Sequence, residues 1–211
     1  MVITIIDYYY EIILISNSVS LTDYIINLWN NCETIKKEWI SMRSYFFDDV
    51  DQLISHLQNT LKNTGPIRLQ KTLYFLYAFY GATYGSMSSE ENISELETTY
   101  PSTLFPVEFQ AWEYGPVIRD VYFKNKNGEY DEMEDFTVSN FQTKEDRDVI
   151  DFLDSLTRQL NEMSDFALVD RSHVDKAWSN KFDPINKYSS NVIDNHELIT
   201  EYRERLQSAG S

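Results

Sequence analysis

The chain has 211 residues and a formal net charge of −16, from 18 basic and 34 acidic side chains. A hydrophobic fraction of 42% with 15 tyrosines argues against a disordered chain and is enough for one sizeable core. The excess of acids disfavours ordinary binding to a phosphate backbone, and the single cysteine, Cys32, excludes an internal disulfide and a zinc cluster built from cysteines.

Residues 1–41 are predicted to form an N-terminal extension. Residues 1–15 are rich in Ile, Val and Tyr, but Asp7 and Glu11 interrupt the apolar run, and no basic residue precedes Lys36. A signal peptide begins with basic residues and a membrane span needs an apolar run of about 20 residues, so neither is expected. We expect this segment to pack on the main domain, residues 21–39 to form an amphipathic helix, and the protein to be cytoplasmic.

Two helices are predicted between residues 49 and 85. Apolar side chains recur with helical spacing in the first, at Val50, Leu53, Ile54, Leu57 and Leu61. Gly65-Pro66 is expected to stop this helix. Residues 67–85 carry no charge after Lys71 and are apolar around the whole helix circumference, which predicts a buried central helix.

A polar, acidic connection is expected over residues 86–106, with at most a short helix near residues 93–96. Residues 107–112 alternate apolar and polar side chains, which predicts a half-buried strand. Gly115-Pro116 is expected to end the strand, with Pro116 opening a short helix over residues 117–123. Asn127-Gly128 indicates a turn.

The C-terminal half is predicted to be mainly helical after one more strand. Residues 136–141 alternate like a strand, whereas an apolar stripe begins after Thr143, a good N-cap residue. Ser164 and Asp194 are expected to cap two further helices. The predicted fold is therefore α+β and mainly α-helical: a single globular domain, residues 42–207, around the buried central helix with a small antiparallel sheet. Residues 208–211 are interpreted as a tail of cloning origin.

Negative charge is concentrated between residues 85 and 143, which hold 12 acids and 3 bases. An acidic patch of five residues lies within this segment, at Glu129, Asp131, Glu132, Glu134 and Asp135. Such a patch is compatible with a basic protein partner, or with mimicry of nucleic acid towards a protein that binds it.

The sequence offers little catalytic chemistry. It has no phosphate-binding glycine loop and none of the common hydrolase or zinc motifs, so no cofactor and no metal are expected. His56 falls on the predicted polar face of its helix. His173 could act as a base if Asp170 or Asp175 oriented its ring, or it could donate to a backbone carbonyl and hold the turn before Trp178.

Three blocks of residues carry a resemblance to a known family. They are Leu69-Gln70-Lys71-Thr72-Leu73-Tyr74, Ala111-Trp112-Glu113-Tyr114-Gly115-Pro116-Val117, and Ser172-His173-Val174-Asp175-Lys176-Ala177-Trp178. Their types and order resemble the Panacea domain, also described as the SocA-like family. The resemblance spans residues 46–206 and leaves residues 1–41 without a counterpart.

The resemblance implies an antitoxin that neutralises a cognate protein toxin by direct contact and has no chemistry of its own. The toxin is expected to be encoded next to it. The SocA branch implies a further partner, a cytosolic protease to which the toxin is presented. Two alternatives stay open: an acidic, phage-type inhibitor of a defence enzyme that occupies a nucleic-acid channel, and an enzyme that uses His173.

The candidate partner-binding residues are taken from the blocks and the helix after them: Lys71, Trp112, Tyr114, Gly115, Pro116, Arg119, His173 and Trp178. Trp112 and Tyr114 could cover the core or contact a partner, since aromatic residues beside a rigid turn are typical of interaction hot spots. Arg68 and Lys71 are expected to neutralise Glu108 or Glu113.

Overall fold

The computed structural model describes residues 43–87, 100–131 and 133–210. In chain order the elements are α1 Val50–Thr60, α2 Pro66–Met87, β1 Gln110–Trp112, β2 Gly115–Val117, α3 Arg119–Lys126, α4 Phe136–Asn140, α5 Lys144–Glu162, α6 Asp165–His173, α7 Lys176–Ser179 and α8 Asn195–Ala209. The prediction of a mainly helical α+β fold with a small antiparallel sheet is confirmed.

Helix α2 is the centre of the domain. Residues 68–78 of α2 are all buried, and α3, α5, α6, α8 and β2 pack around the helix. A helix that is apolar on every side must be covered on every side, which is what the sequence predicted. Two glycines near its C-terminal end permit close contacts: a Cβ on Gly81 would lie 2.6 Å from the Ile199 side chain, and one on Gly85 would lie 2.4 Å from the Ser102 carbonyl oxygen.

β1 and β2 form an antiparallel hairpin whose turn is Glu113-Tyr114. The prediction that Gly115-Pro116 ends the strand and opens a helix is wrong, because both residues lie in β2 and α3 begins at Arg119. Gly115 turns the chain back with a φ of 88°. Proline is tolerated beside it because β2 has no backbone partner strand on its outer side among the described residues.

Both sides of the hairpin are nevertheless hydrogen-bonded. On the outer side of β1, Ala111 N donates to Asn191 O at 3.0 Å and Ile193 N donates to Phe109 O at 2.8 Å. On the outer side of β2, the Gln70 side chain accepts from Ile118 N at 2.7 Å and donates to Ile118 O at 3.2 Å. The amide side chain of α2 thus takes the place of a neighbouring strand.

Two further boundary predictions are wrong. Residues 136–141 form helix α4 and a cap, not a strand: the Asp135 carboxylate accepts from Thr137 N, while Val138 is 69% exposed. The alternation there is too short to separate a strand from one helical turn. Gly65-Pro66 does not stop α1, which ends at Thr60; Pro66 is instead the first residue of α2, where its missing amide hydrogen costs nothing.

The predicted N-caps are confirmed. Thr143 forms a reciprocal capping box with Asp146 at the start of α5, the Ser164 hydroxyl accepts from Ala167 N, and the Asp194 carboxylate accepts from His196 N and Glu197 N. These caps set where α5, α6 and α8 begin.

Several predictions lie outside the described residues: the N-terminal segment, the helix over residues 21–39 and the short helix near residues 93–96. The domain boundaries at residues 41/42 and 207/208 also stay predictions, although α8 runs through Ala209. In the part of the chain that the structure describes, no helix is both long and apolar enough to cross a membrane.

Candidate functional site

The three blocks of the sequence come together at the hairpin. Trp178, in α7, donates its indole N–H to the Trp112 carbonyl oxygen at 3.1 Å, and the His173 ring stacks on Trp178 with centroids 4.0 Å apart. Lys71, in α2, donates to the Pro116 carbonyl oxygen at 2.7 Å. Residues from three distant positions in the chain therefore hold both strands of one hairpin.

Lys71 is buried without a carboxylate partner among the described residues, with 1% of its surface exposed. Because burial penalises the charged ammonium, the pKa of Lys71 is lowered to about 7. Gly115 is what allows this lysine so close to the strand: a Cβ there would lie 2.8 Å from Lys71 Cε and 2.4 Å from Ser172 Oγ. Any larger residue would displace one of the two.

The predicted ion pairs of α2 with Glu108 or Glu113 are wrong. Arg68 is fully buried and pairs with Asp165 at 2.6 Å, while its other nitrogen donates to the Leu160 carbonyl at 3.0 Å. Glu113 pairs with Lys187 at the rim of the hairpin. Arg68 instead reaches the junction of α5 and α6, because Leu160 lies in the last turn of α5 and Asp165 is the first residue of α6.

His173 holds the hairpin turn. Burial, followed by the nearby charge of Lys71, lowers the pKa of His173, and its ring makes a backbone hydrogen bond with Glu113. Its Nε2 atom is buried and has no partner among the described residues. Asp170 is exposed, and the Asp175 carboxylate accepts hydrogen bonds from Tyr74 and Arg171. Asp175 therefore does not orient the His173 ring, as the catalytic alternative required.

Asp175 is the centre of a buried network that sequence reasoning missed. Its carboxylate is 0% exposed and accepts four hydrogen bonds, from Tyr74 Oη at 2.9 Å, Tyr202 Oη at 2.9 Å, Arg171 Nη1 at 2.9 Å and Arg205 Nη1 at 2.6 Å. Burial and the carboxylate raise the pKa of both tyrosines, which keeps their hydroxyls as donors. The network joins α2, α6 and α8.

The prediction that His56 lies on a polar face is also wrong. The residue is 7% exposed, and its two ring nitrogens lie 2.8 Å from Asp135 and 2.8 Å from Asp154. Burial alone would lower the pKa of His56, but its hydrogen bonds to the Asp154 and Asp135 carboxylates outweigh burial and raise the pKa. One member of the acidic patch, Asp135, is therefore committed to joining α1 to α4, while His56 also reaches α5 through Asp154.

The rest of the acidic patch faces solvent where it is described. Glu129, Asp131 and Glu134 are exposed, and Glu132 lies outside the described residues. Asp49 and Asp51 lie close to Glu129, because burial and these carboxylates together raise the pKa of Tyr130. We call Asp49, Asp51, Glu129 and Asp131 the acidic cluster; it lies at the C-terminal end of α3.

The candidate residues divide into buried and exposed groups. Lys71, Trp112, Gly115, Pro116 and Trp178 are buried, and His173 is half-buried. Tyr114, at the turn, is 49% exposed, and Arg119 is exposed with its guanidinium 5.3 Å from the Phe123 ring centroid. Tyr114 and Arg119 are therefore the exposed members of this set of candidates.

Sequence reasoning missed two aromatic residues beside them. Tyr188 is 61% exposed and packs edge-on against Trp112 at 5.2 Å, and Phe123 is 43% exposed. Tyr188 lies in the irregular segment after α7, which carries no periodic signal. Among the described residues, no group of three His, Cys, Asp or Glu side chains is placed to hold a metal ion.

A comparison with known protein families identifies a match. The family model described as "Antitoxin SocA-like, Panacea domain" matches residues 69–179. This range begins in α2 and ends with α7, so it contains all three blocks that meet at the hairpin. Comparisons with curated proteins and with solved structures gave no significant match.

Proposed function

Since the chain belongs to the family of SocA-like antitoxins with a Panacea domain, we propose that it neutralises a cognate protein toxin by binding it directly, without chemistry of its own. The family match over residues 69–179 carries this proposal. We further propose that the two proteins meet in the cytoplasm and that the toxin is encoded adjacently.

The way the motif residues are used supports a binding role. Lys71, His173 and Trp178 each contact the hairpin, and none of them pairs with a nucleophile or with an orienting carboxylate among the described residues. A base in an acid–base site needs a partner that fixes its tautomer and a group to deprotonate. These side chains instead support a hairpin that ends in an exposed tyrosine.

Charge adds a second reason. A chain with a net charge of −16 attracts a basic partner from a distance, and the association rate of such a pair falls as salt is added. The adaptor alternative uses the same contact but adds a cytosolic protease as a third component. In the adaptor alternative the toxin would be degraded, whereas in direct neutralisation it would remain in an inactive complex.

The proposal is tested by co-expression followed by titration. The neighbouring open reading frame is expressed in bacteria alone and with this protein, and we expect growth arrest that co-expression relieves. Purified toxin is then titrated with this protein, and we expect its activity to reach zero only near a stoichiometric ratio. Full inhibition at a small fraction of one equivalent would contradict binding and support an enzyme.

The acidic cluster favours one second candidate, an inhibitor that imitates nucleic acid. Asp49, Asp51 and Glu129 act together around Tyr130, as the raised pKa of this tyrosine reflects. Such an inhibitor would bind a nucleic-acid enzyme in competition with DNA or RNA, whereas a toxin held through another surface would stay bound. Adding excess duplex DNA or RNA to the purified complex separates the two.

A further inference from the structure

Four aromatic side chains form a continuous surface at the end of the hairpin. Phe123, Tyr122, Trp112 and Tyr188 follow one another edge to face, with centroid separations of 5.4, 5.3 and 5.2 Å. Tyr114 belongs to the turn that directly follows Trp112, at the end of the same hairpin. We call these five residues the hairpin-tip surface.

The outer members of the hairpin-tip surface are open to solvent. Tyr188, Tyr114 and Phe123 are 61%, 49% and 43% exposed, whereas Trp112 beneath them is 6% exposed. Tyrosine, tryptophan and phenylalanine are enriched at protein interfaces, and contiguous exposed aromatic side chains mark interaction sites on soluble proteins.

The surface is held in one arrangement before any partner arrives. Trp112 donates its indole N–H to the Gln110 side chain at 3.1 Å, and its carbonyl oxygen accepts from Trp178. Lys71 and Gln70 occupy the outer side of β2, and the backbone of residues 187–193 occupies that of β1. A partner therefore cannot add a strand here and must recognise side chains, with little ordering cost on this side of the interface.

The charges around the surface indicate the chemistry of the partner. Residues 110–123 and 181–192 contain equal numbers of acids and bases, although the chain as a whole carries −16. The acidic cluster lies at the C-terminal end of α3, about one helical turn beyond Phe123. Lys124 of α3 pairs with Asp51 at 2.6 Å, so one base offsets one of the four carboxylates of the acidic cluster. An apolar, neutral surface therefore borders on a net negative one, and α3 carries Phe123 and leads into Glu129.

We propose, on the basis of the antitoxin function proposed above, that the toxin docks on the hairpin-tip surface. The partner is a basic protein that places an apolar patch on Tyr114, Tyr188 and Phe123 and directs lysine or arginine side chains towards the acidic cluster. The aromatic rings supply most of the affinity and the acids mainly speed the encounter, because hot spots are buried aromatic anchors while exposed charges change the association rate.

The test compares exposed aromatic residues in two places. Tyr114→Ala and Tyr188→Ala are each expected to weaken toxin binding by more than about 30-fold, the size typical of a hot spot. Phe166→Ala is the matched control, since Phe166 is 65% exposed on α6 and makes no contact with the hairpin-tip surface among the contacts described. It is expected to bind within about threefold of wild type. Tyr114→Phe keeps the ring and should bind nearly as wild type.

The role of the acidic cluster is tested with a separate double variant. Glu129→Gln combined with Asp131→Asn should lower the association rate several-fold at low salt and leave the dissociation rate nearly unchanged. Binding rates are measured with purified proteins at two salt concentrations, and each variant is first shown to unfold at the wild-type urea midpoint. An unchanged association rate and an absent salt dependence would overturn the basic-partner assignment.

The outcomes separate the two proposals. The docking surface would be refuted if the wild-type chain rescues growth but Tyr114→Ala and Tyr188→Ala bind the toxin as tightly as Phe166→Ala. The proposed antitoxin function would not be affected by this result. A wild-type chain that neither rescues growth nor binds the neighbouring protein would overturn the function itself. Rescue lost in both tyrosine variants but kept in Phe166→Ala is the result we expect.

Discussion

Removing the Asp175 carboxylate should be among the most damaging single changes in the described domain. In Asp175→Ala the hydroxyls of Tyr74 and Tyr202 lose their acceptor while buried, which costs about 1–3 kcal/mol each. Arg171 and Arg205 add less, because their side chains are 36% and 33% exposed and can turn to water. Together these losses point to about 3–5 kcal/mol, the usual cost of removing one partner from a buried ionic network.

Urea unfolding of the full chain measures this loss. With a urea dependence of about 2 kcal/mol per molar, the Asp175→Ala midpoint should fall by roughly 2 M. Asp170→Ala is the matched control, because Asp170 is an exposed carboxylate on α6, the helix that also carries Arg171, and its effect should stay within about 0.5 kcal/mol. An Asp175→Ala midpoint as close to wild type as that of Asp170→Ala would refute the network as a source of stability.

Three smaller perturbations test other features of the domain. Because the aspartates raise the pKa of His56 above 6.5, the contribution of His56 to the free energy of unfolding is present below that pH and is lost as the pH rises through the folded pKa. His56→Gln should therefore cost more stability at pH 6 than at pH 8.5, and equal shifts of the urea midpoint at the two pH values would contradict this. Gly85→Ala places a Cβ against a backbone carbonyl and should lower the free energy of unfolding by about 1–3 kcal/mol. Gly81→Ala should cost less, because the side chain that its Cβ meets is flexible and can move, and thermal unfolding of both variants tests this order. The pKa of Lys71 is lowered from 10.5 to about 7, so between these pH values the unfolded chain binds more protons than the folded one and the free energy of unfolding rises with pH. The wild type should therefore become more stable relative to Lys71→Met between pH 6 and pH 9, and a pH-independent difference would show that Lys71 does not titrate in this range.

The elements that could be predicted from sequence are those whose signal is local and long. The apolar circumference of α2 and the cap at Thr143 each require only neighbouring residues, and both were predicted correctly. Residues 136–141 failed because six residues fit a strand and a helical turn almost equally well. Gly115-Pro116 failed because the same dipeptide suits a helix start and an edge strand.

The three blocks that meet at the hairpin could be picked out from the sequence, but the contacts between them could not. The three blocks indicated which residues belong together, yet His56 was assigned to a polar face because its two aspartates lie 79 and 98 positions away. Asp175 was considered only as a partner for His173, two positions before it, whereas its tyrosines lie 101 and 27 positions away. Pairings at such separations leave no trace in local spacing.

The place of α8 in the core also decides when the domain can close during its synthesis. α8 packs along α2 and supplies Tyr202 and Arg205 to the central carboxylate. Roughly 100 residues separate the two helices, so at about 5–20 residues per second the ribosome needs roughly 5–20 s to pass from one to the other. During that interval the apolar flank of α2 lacks the cover that α8 gives it. The binding function proposed above would then require synthesis through Ala209, the last residue of α8.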